Sequence, residues 1–284
     1  MSWPILLTVS IVSLSLAFLV QRVLLKKVES DPVVFAIFEP LIAGAIVGAF
    51  TLIRGFSFAN FSDLLPNFGL MIVLYGLGSV FYYTGVKLIE VSEFTILFTS
   101  RTIFTILGAI LVLGERLGPG QLLGAGLIIF SVVLITLEKK RQELKFRRGE
   151  IFTLAASALF GLGFVNDAYI LQRFDAALYL TIAVVLPALF VWLFNPKAAL
   201  KYKLIFGPKN FPGVFLLAAL YSVSGISFYL AYQAGRNAAQ LSALGQLATI
   251  LAVFLAIIFL KERDYMIRKI IGALVSFIGV LLLS

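Results

Sequence analysis

Apolar residues in this chain run continuously rather than in alternation with polar ones. Ten such stretches lie near residues 4–22, 32–53, 68–88, 93–113, 119–137, 150–171, 176–194, 212–234, 239–260 and 267–283. Each is close to the roughly 20 residues that a helix needs to cross the hydrocarbon of a bilayer. Unbroken runs predict helices, because a barrel strand would alternate. The longest polar links are 54–67, 138–149 and 195–211. The pattern predicts an all-α integral membrane protein of ten transmembrane helices. The first helix lacks a basic leader and an Ala-x-Ala site, so it reads as retained.

The ten stretches form two sets of five that repeat each other. Gln21-Arg22 falls on Gln172-Arg173, Glu39-Pro40 on Leu186-Pro187, Phe81-Tyr82 on Phe228-Tyr229, Glu115-Arg116 on Glu262-Arg263, and Gly124-Ala125 on Gly272-Ala273. Five is odd, so the second set enters the membrane from the opposite side. The predicted organisation is one five-helix repeat over 1–137, a basic cytoplasmic linker over 138–149, and a second repeat over 150–284. Inverted repeats around a central cavity are the architecture of secondary transporters, with the substrate site at the repeat interface.

Composition narrows the chemistry. The chain is 61% hydrophobic and 13% charged, with a mean hydropathy of +1.05. It has no cysteine and no histidine, which excludes disulfides, thiol catalysis and the common zinc sites. Proton coupling, if present, falls to carboxylates. The net charge of +9 is no nucleic-acid signal, because the basic residues sit in short loops. Eighteen of the 23 lie in odd-numbered loops, four in even ones, and Arg101 is inside a helix. The positive-inside rule then puts the odd loops in the cytoplasm and both termini outside a plasma (inner) membrane.

Leu113-Gly114-Glu115-Arg116-Leu117, followed by Gln121-Leu122-Leu123-Gly124-Ala125 and a closing apolar helix, resembles the end of an EamA domain. A weaker form recurs at 260–283. Two such domains over essentially the whole chain resemble the ten-helix members of the drug/metabolite transporter superfamily. That resemblance implies a basket of ten helices around a cavity lined by helices 1, 3, 4, 6, 8 and 9. It implies alternating access without ATP, for amino acids, nucleotide sugars, drugs and other metabolites, often outward. The small four-helix multidrug members use a glutamate in helix 1, whereas helix 1 here has no acidic residue.

Ionisable groups inside a bilayer are costly and mark function. Arg101 on helix 4 and Glu39 on helix 2 stand at a similar depth, and neither has a charged counterpart in the other repeat. Arg101 is a candidate ligand for a substrate carboxylate or phosphate. Glu39 is a candidate coupling or gating group that competes for Arg101 or takes a proton; the alternative is a static Glu39–Arg101 pair. Asp167 and Asn166 on helix 6 are further coupling or gating candidates. Thr95, Thr99 and Thr102 form a polar stripe on helix 4, matched by Ser242, Gln246 and Thr249 on helix 9. Of these, Thr95, Thr99, Ser242 and Gln246 are candidate substrate contacts. Six tyrosines on helices 3 and 8 are candidate clamps, with Tyr82 and Tyr229 preferred as the repeat-matched pair. Lys87, Glu90 and Glu93 flank a short turn as interface charges.

The expected function is secondary transport, outward, of a small polar metabolite such as an amino acid or related organic anion. A lipid-linked substrate carrier or flippase is the alternative, and an integral-membrane enzyme the remote one. No cofactor, metal or nucleic acid is implied. The expected partners are the small-molecule substrate, the lipid bilayer and protons as coupling ion, in a monomer or weak homodimer.

Overall fold

The computed structural model describes residues 2–27, 29–57, 62–113, 118–136, 146–171, 173–235 and 244–283. The described residues are helical throughout, without strands. Named in chain order, the helices are α1 (Trp3–Leu25), α2 (Pro32–Arg54), α3 (Leu65–Leu88, led by a 3-10 turn), α4 (Val91–Phe98), α5 (Arg101–Leu113), α6 (Pro119–Thr136), α7 (Arg148–Leu171), α8 (Ala176–Phe194), α9 (Pro196–Ala199), α10 (Lys203–Phe206), α11 (Phe211–Gly235), α12 (Leu247–Phe259) and α13 (Met266–Leu283). Among the described residues six segments, in α1, α2, α3, α7, α8 and α11, are long and apolar enough to cross a membrane. This is a membrane protein.

Local chemistry sets the ends. Asp31 caps α2, accepting from the Val33 N–H at 3.0 Å, with Pro32 in the first turn. Asp175 caps α8 by accepting from Ala177 and Leu178 N–H at 3.0 and 2.9 Å. Gly55, at φ +80°, ends α2 in a conformation that L side chains rarely adopt.

One expectation fails in detail. The stretch 93–113 is not a single helix but α4 and α5, broken at Thr99-Ser100. Their hydroxyls donate to the Ile96 and Leu97 carbonyls at 2.6 and 2.7 Å, three residues back. Their N–H groups turn to the same carbonyls, at 3.2 and 3.1 Å. Local side-chain bonds of this kind compete with the regular ladder. Gln246, just before α12, is likewise outside the helix.

α1 packs on α11, α3 on α7, α2 on α8, and α6 on α13; α5 also lies along α7. Between α6 and α13 the backbones nearly touch: a Cβ on Gly279 would lie 2.8 Å from the Gly124 carbonyl oxygen. Such contact replaces the hydrophobic drive that lipid does not supply. The core is aromatic around the α3–α4 junction, where Tyr82 meets Phe94 edge-on at 4.8 Å and Phe94 stacks on Phe98 at 5.5 Å.

The odd-numbered connections meet at one end of the bundle. Lys201 pairs with Asp31 at 2.8 Å, Arg147 with Glu93 at 2.7 Å and with Glu150 at 2.8 Å, and Lys269 with Glu90. Burial pulls the Asp31 carboxyl upward, but the hydrogen bond and charge of Lys201 and backbone N–H donors bring it below the ordinary carboxylate range. Glu262 reaches from the end of α12 to α4, accepting from Val91 N–H at 3.0 Å, Ser92 N–H at 3.1 Å and Ser92 Oγ at 2.7 Å. A carboxylate thus serves the orphan donors at a helix N-terminus from another part of the chain. Glu115, its repeat partner in the sequence, lies outside the described residues.

Candidate functional site

A cavity of about 420 Å³ lies at the centre of the bundle, within the size range of small-molecule sites. α1 contributes Leu14 and Phe18. α3 contributes Tyr75, Ser79, Tyr82 and Tyr83. The α4–α5 break contributes Thr95, Phe98, Thr99 and Arg101, and α7 adds Phe160 and Asp167. Tyr221 comes from α11, and Gly245, Gln246, Ala248 and Thr249 from the start of α12. α2 and α8 also line it, through Glu39 and Pro40 on one and Tyr179, Leu180, Ala183, Val184 and Pro187 on the other. This corrects the expected wall, which omitted both helices. Proline in each interior removes a ladder hydrogen bond, and both prolines face the cavity.

Arg101 opens α5 and reaches the cavity beside the Phe98 ring, its guanidinium carbon 5.0 Å from the ring centroid. That is cation–π range. Its guanidinium makes no hydrogen bond and no ion pair among the described residues. The static pair with Glu39 is therefore not formed: the two share the cavity without approaching within 4.0 Å. Glu39, 3% exposed, accepts instead from the Tyr83 hydroxyl through Oε2, and its buried Oε1 has no partner.

Asp167 is held differently. The Tyr75 hydroxyl donates to one oxygen and the Tyr179 hydroxyl to the other, tying α7 to α3 and α8. Asn166, next to it, does not line the cavity. Its Nδ2 donates to the Asn67 carbonyl at 2.9 Å and its Oδ1 accepts from Asn67 Nδ2 at 2.8 Å, so it joins α7 to α3.

The two polar stripes converge in part. Thr95, Thr99, Gln246 and Thr249 all line the cavity, whereas Thr102 does not. Ser242 lies outside the described residues. The preferred tyrosine pair divides. Tyr82 lines the cavity, but Tyr229 does not; its hydroxyl accepts from Arg54 Nη1 at 2.7 Å, with the guanidinium over its ring. The residue facing Tyr82 is Tyr221, hydroxyl to hydroxyl at 2.9 Å, and Tyr221 donates on to Gln21 Oε1 at 2.9 Å. Tyr179 was absent from the sequence reading. Its position four residues after the cap Asp175, and eight before Pro187, places it on one face of α8 with Ala183 and Pro187.

A crystal structure resembles this fold with a TM-score of 0.62 at 18% sequence identity, covering 98% of this chain and 94% of the other. No curated protein sequence matches the chain. The sequence pattern of the EamA-like transporter family matches residues 1–137 and again 147–284. The chain belongs to the EamA-like transporter family.

Proposed function

We propose that this protein is a secondary active transporter that moves a small metabolite with an acidic group, such as an amino acid or related organic anion, outward by alternating access. The observation that carries this reading is Arg101: a guanidinium on the wall of a central cavity, with no acceptor among the described residues. An intramembrane arginine is sustained by a partner, and a carboxylate matches its donor fork. Phe98, Phe160 and Leu180 give the rest of the ligand an apolar bed, and Thr99 and Gln246 give it hydrogen bonds.

In this reading ten spans form two inverted repeats, 1–137 and 150–284, joined by the basic segment 138–149. The pairing of helices supports it, since the α1–α11 and α3–α7 contacts exchange when the halves are exchanged. So does the break at Thr99, which falls on Gln246 in the second half. The protein sits in the plasma (inner) membrane as a monomer or weak homodimer, odd connections in the cytoplasm and both termini outside.

A thermal-shift screen of wild type and Arg101→Ala against a metabolite panel tests this. Ligand binding to the folded protein raises its melting temperature by mass action. Stabilisation of wild type by carboxylates, lost in Arg101→Ala, is the expected result. Stabilisation that survives Arg101→Ala removes the basis of the reading.

A further inference from the structure

Among the described residues three formally charged side chains line the cavity: Glu39, Arg101 and Asp167. The two carboxylates are not equivalent. Asp167 has a tyrosine hydroxyl on each oxygen, so both of its acceptors are already occupied. Glu39 has one such donor, from Tyr83, and a second oxygen that is buried and unpartnered. A buried polar atom without a partner is costly. An unpartnered carboxylate oxygen is free to accept a hydrogen bond or a proton.

The surroundings of Glu39 say what. α2 packs against α3, α8, α11 and the short α9 and α10. Their titratable groups that line the cavity, among the described residues, are the tyrosines Tyr75, Tyr82, Tyr83, Tyr179 and Tyr221. The lysines of the α9–α10 segment belong to the level of Asp31, where Lys201 is bound, eight residues and about 12 Å down α2. Arg101 and Asp167 face Glu39 from α5 and α7. Among the described residues Arg101 is thus the cation that shares a cavity with Glu39, and it does so without contact. Charges that share a cavity interact across it without contact. A cation in the same cavity favours the ionised form of a carboxylate over the protonated one. An anion on Arg101 cancels that support and adds repulsion, and a proton on the open oxygen of Glu39 relieves both.

We propose that Glu39 is the proton-binding group of the cavity and takes up a proton as an anion settles on Arg101. This rests on the reading of Arg101 as the anion site. The proton forms an O–H bond at Glu39 and leaves from the same oxygen; no other bond changes. Each ligand favours the other by the same factor, so anion and proton cross together as a neutral pair. Outward movement therefore requires an outward gradient of the anion that exceeds the inward gradient of the proton, and the proton leaves with the anion.

Benzoate, fully ionised at neutral pH and releasing no proton of its own, is the probe, with acetate and lactate beside it. Purified protein in weak buffer is mixed with each. A pH dye reads protons taken from solution, and the melting temperature reads binding. Wild type is expected to be stabilised and to take up about one proton per bound anion; Glu39→Gln is expected to bind without uptake. Tyr83→Phe keeps the carboxyl while removing the donor that favours its ionised form, so the proton is already in place and uptake falls. Stabilisation that depends on Arg101 but brings no uptake overturns this proposal and leaves the Arg101 reading standing. So does uptake that survives Glu39→Gln and is lost in Asp167→Asn, which would move the proton to Asp167. If all three anions leave the wild-type melting temperature unmoved, the Arg101 reading falls and this proposal with it.

Discussion

Gly161 on α7 meets the first residue of α5 so closely that a Cβ would lie 2.4 Å from the Arg101 carbonyl oxygen and 2.7 Å from Phe104 Cβ. The Thr105 hydroxyl donates to the Gly161 carbonyl at 3.1 Å across the same contact. Arg101 therefore owes its position to the absence of a side chain on a neighbouring helix. Gly161→Ala is expected to force α5 away from α7 at a cost of about 1–3 kcal/mol. Gly108→Ala, whose Cβ would meet Val165 Cγ2 at 3.1 Å, is expected to cost less. Melting temperatures of both variants check the order, and the benzoate-induced shift should weaken in Gly161→Ala.

Glu262 is expected to matter for stability although it lies far from the cavity in sequence and chemistry. It is 7% exposed and satisfies two backbone N–H groups and one hydroxyl at the start of α4. Glu262→Ala strands these donors, a loss on the order of 3 kcal/mol for bonds to a charged acceptor. Ser92→Ala removes only the hydroxyl and should cost about 1 kcal/mol. Equal melting temperatures for the two variants would show that the backbone donors find other partners.

The helices were legible in the sequence where the bilayer dictates them. A lipid-facing backbone must satisfy itself, so a span is a continuous apolar run; α8, over Ala176–Phe194, coincides with the predicted 176–194. The break at Thr99-Ser100 was not legible, because two hydroxyls turning back on their own helix leave hydropathy almost unchanged. Arg101 and Glu39 stood out by charge alone. Their actual partners, Phe98 and Tyr83, depend on helix rotation, which a hydrophobic run does not carry. The same gap explains why repeat matching chose Tyr229, eight residues and more than two turns beyond Tyr221. Glu262 stood in the sequence only as the repeat match of Glu115; the fold alone brings it to α4.

Asp31 supplies a pH dependence outside the membrane spans. Its carboxyl lies below the ordinary range because Lys201 and backbone donors overcome the effect of burial. A depressed acid contributes stability at pH values above its unfolded range, and loses it as pH falls through the folded one. Asp31→Asn retains a capping side chain and removes the charge. Wild type should melt above this variant at neutral pH, with the gap closing below about pH 4. A gap that is constant down to pH 3 would assign the effect to capping geometry alone.

The absence of cysteine makes topology directly measurable. Ser2→Cys and Arg173→Cys, at the N-terminus and in an even connection, are expected to react with an impermeant maleimide in intact cells. Lys197→Cys, in an odd connection, is expected to react only after the membrane is opened. The reverse pattern would place the odd connections outside and overturn the orientation drawn from charge.

Flux through Arg101 decides the matter most directly. Proteoliposomes loaded with the carboxylate that most stabilises the purified protein should show saturable counterflow of the labelled compound. Arg101→Ala should abolish that counterflow while still folding and inserting, and Arg101→Lys should retain part of it, because a point charge replaces the donor fork. Counterflow at the wild-type rate in Arg101→Ala would contradict the assignment of this residue as the substrate's anchor.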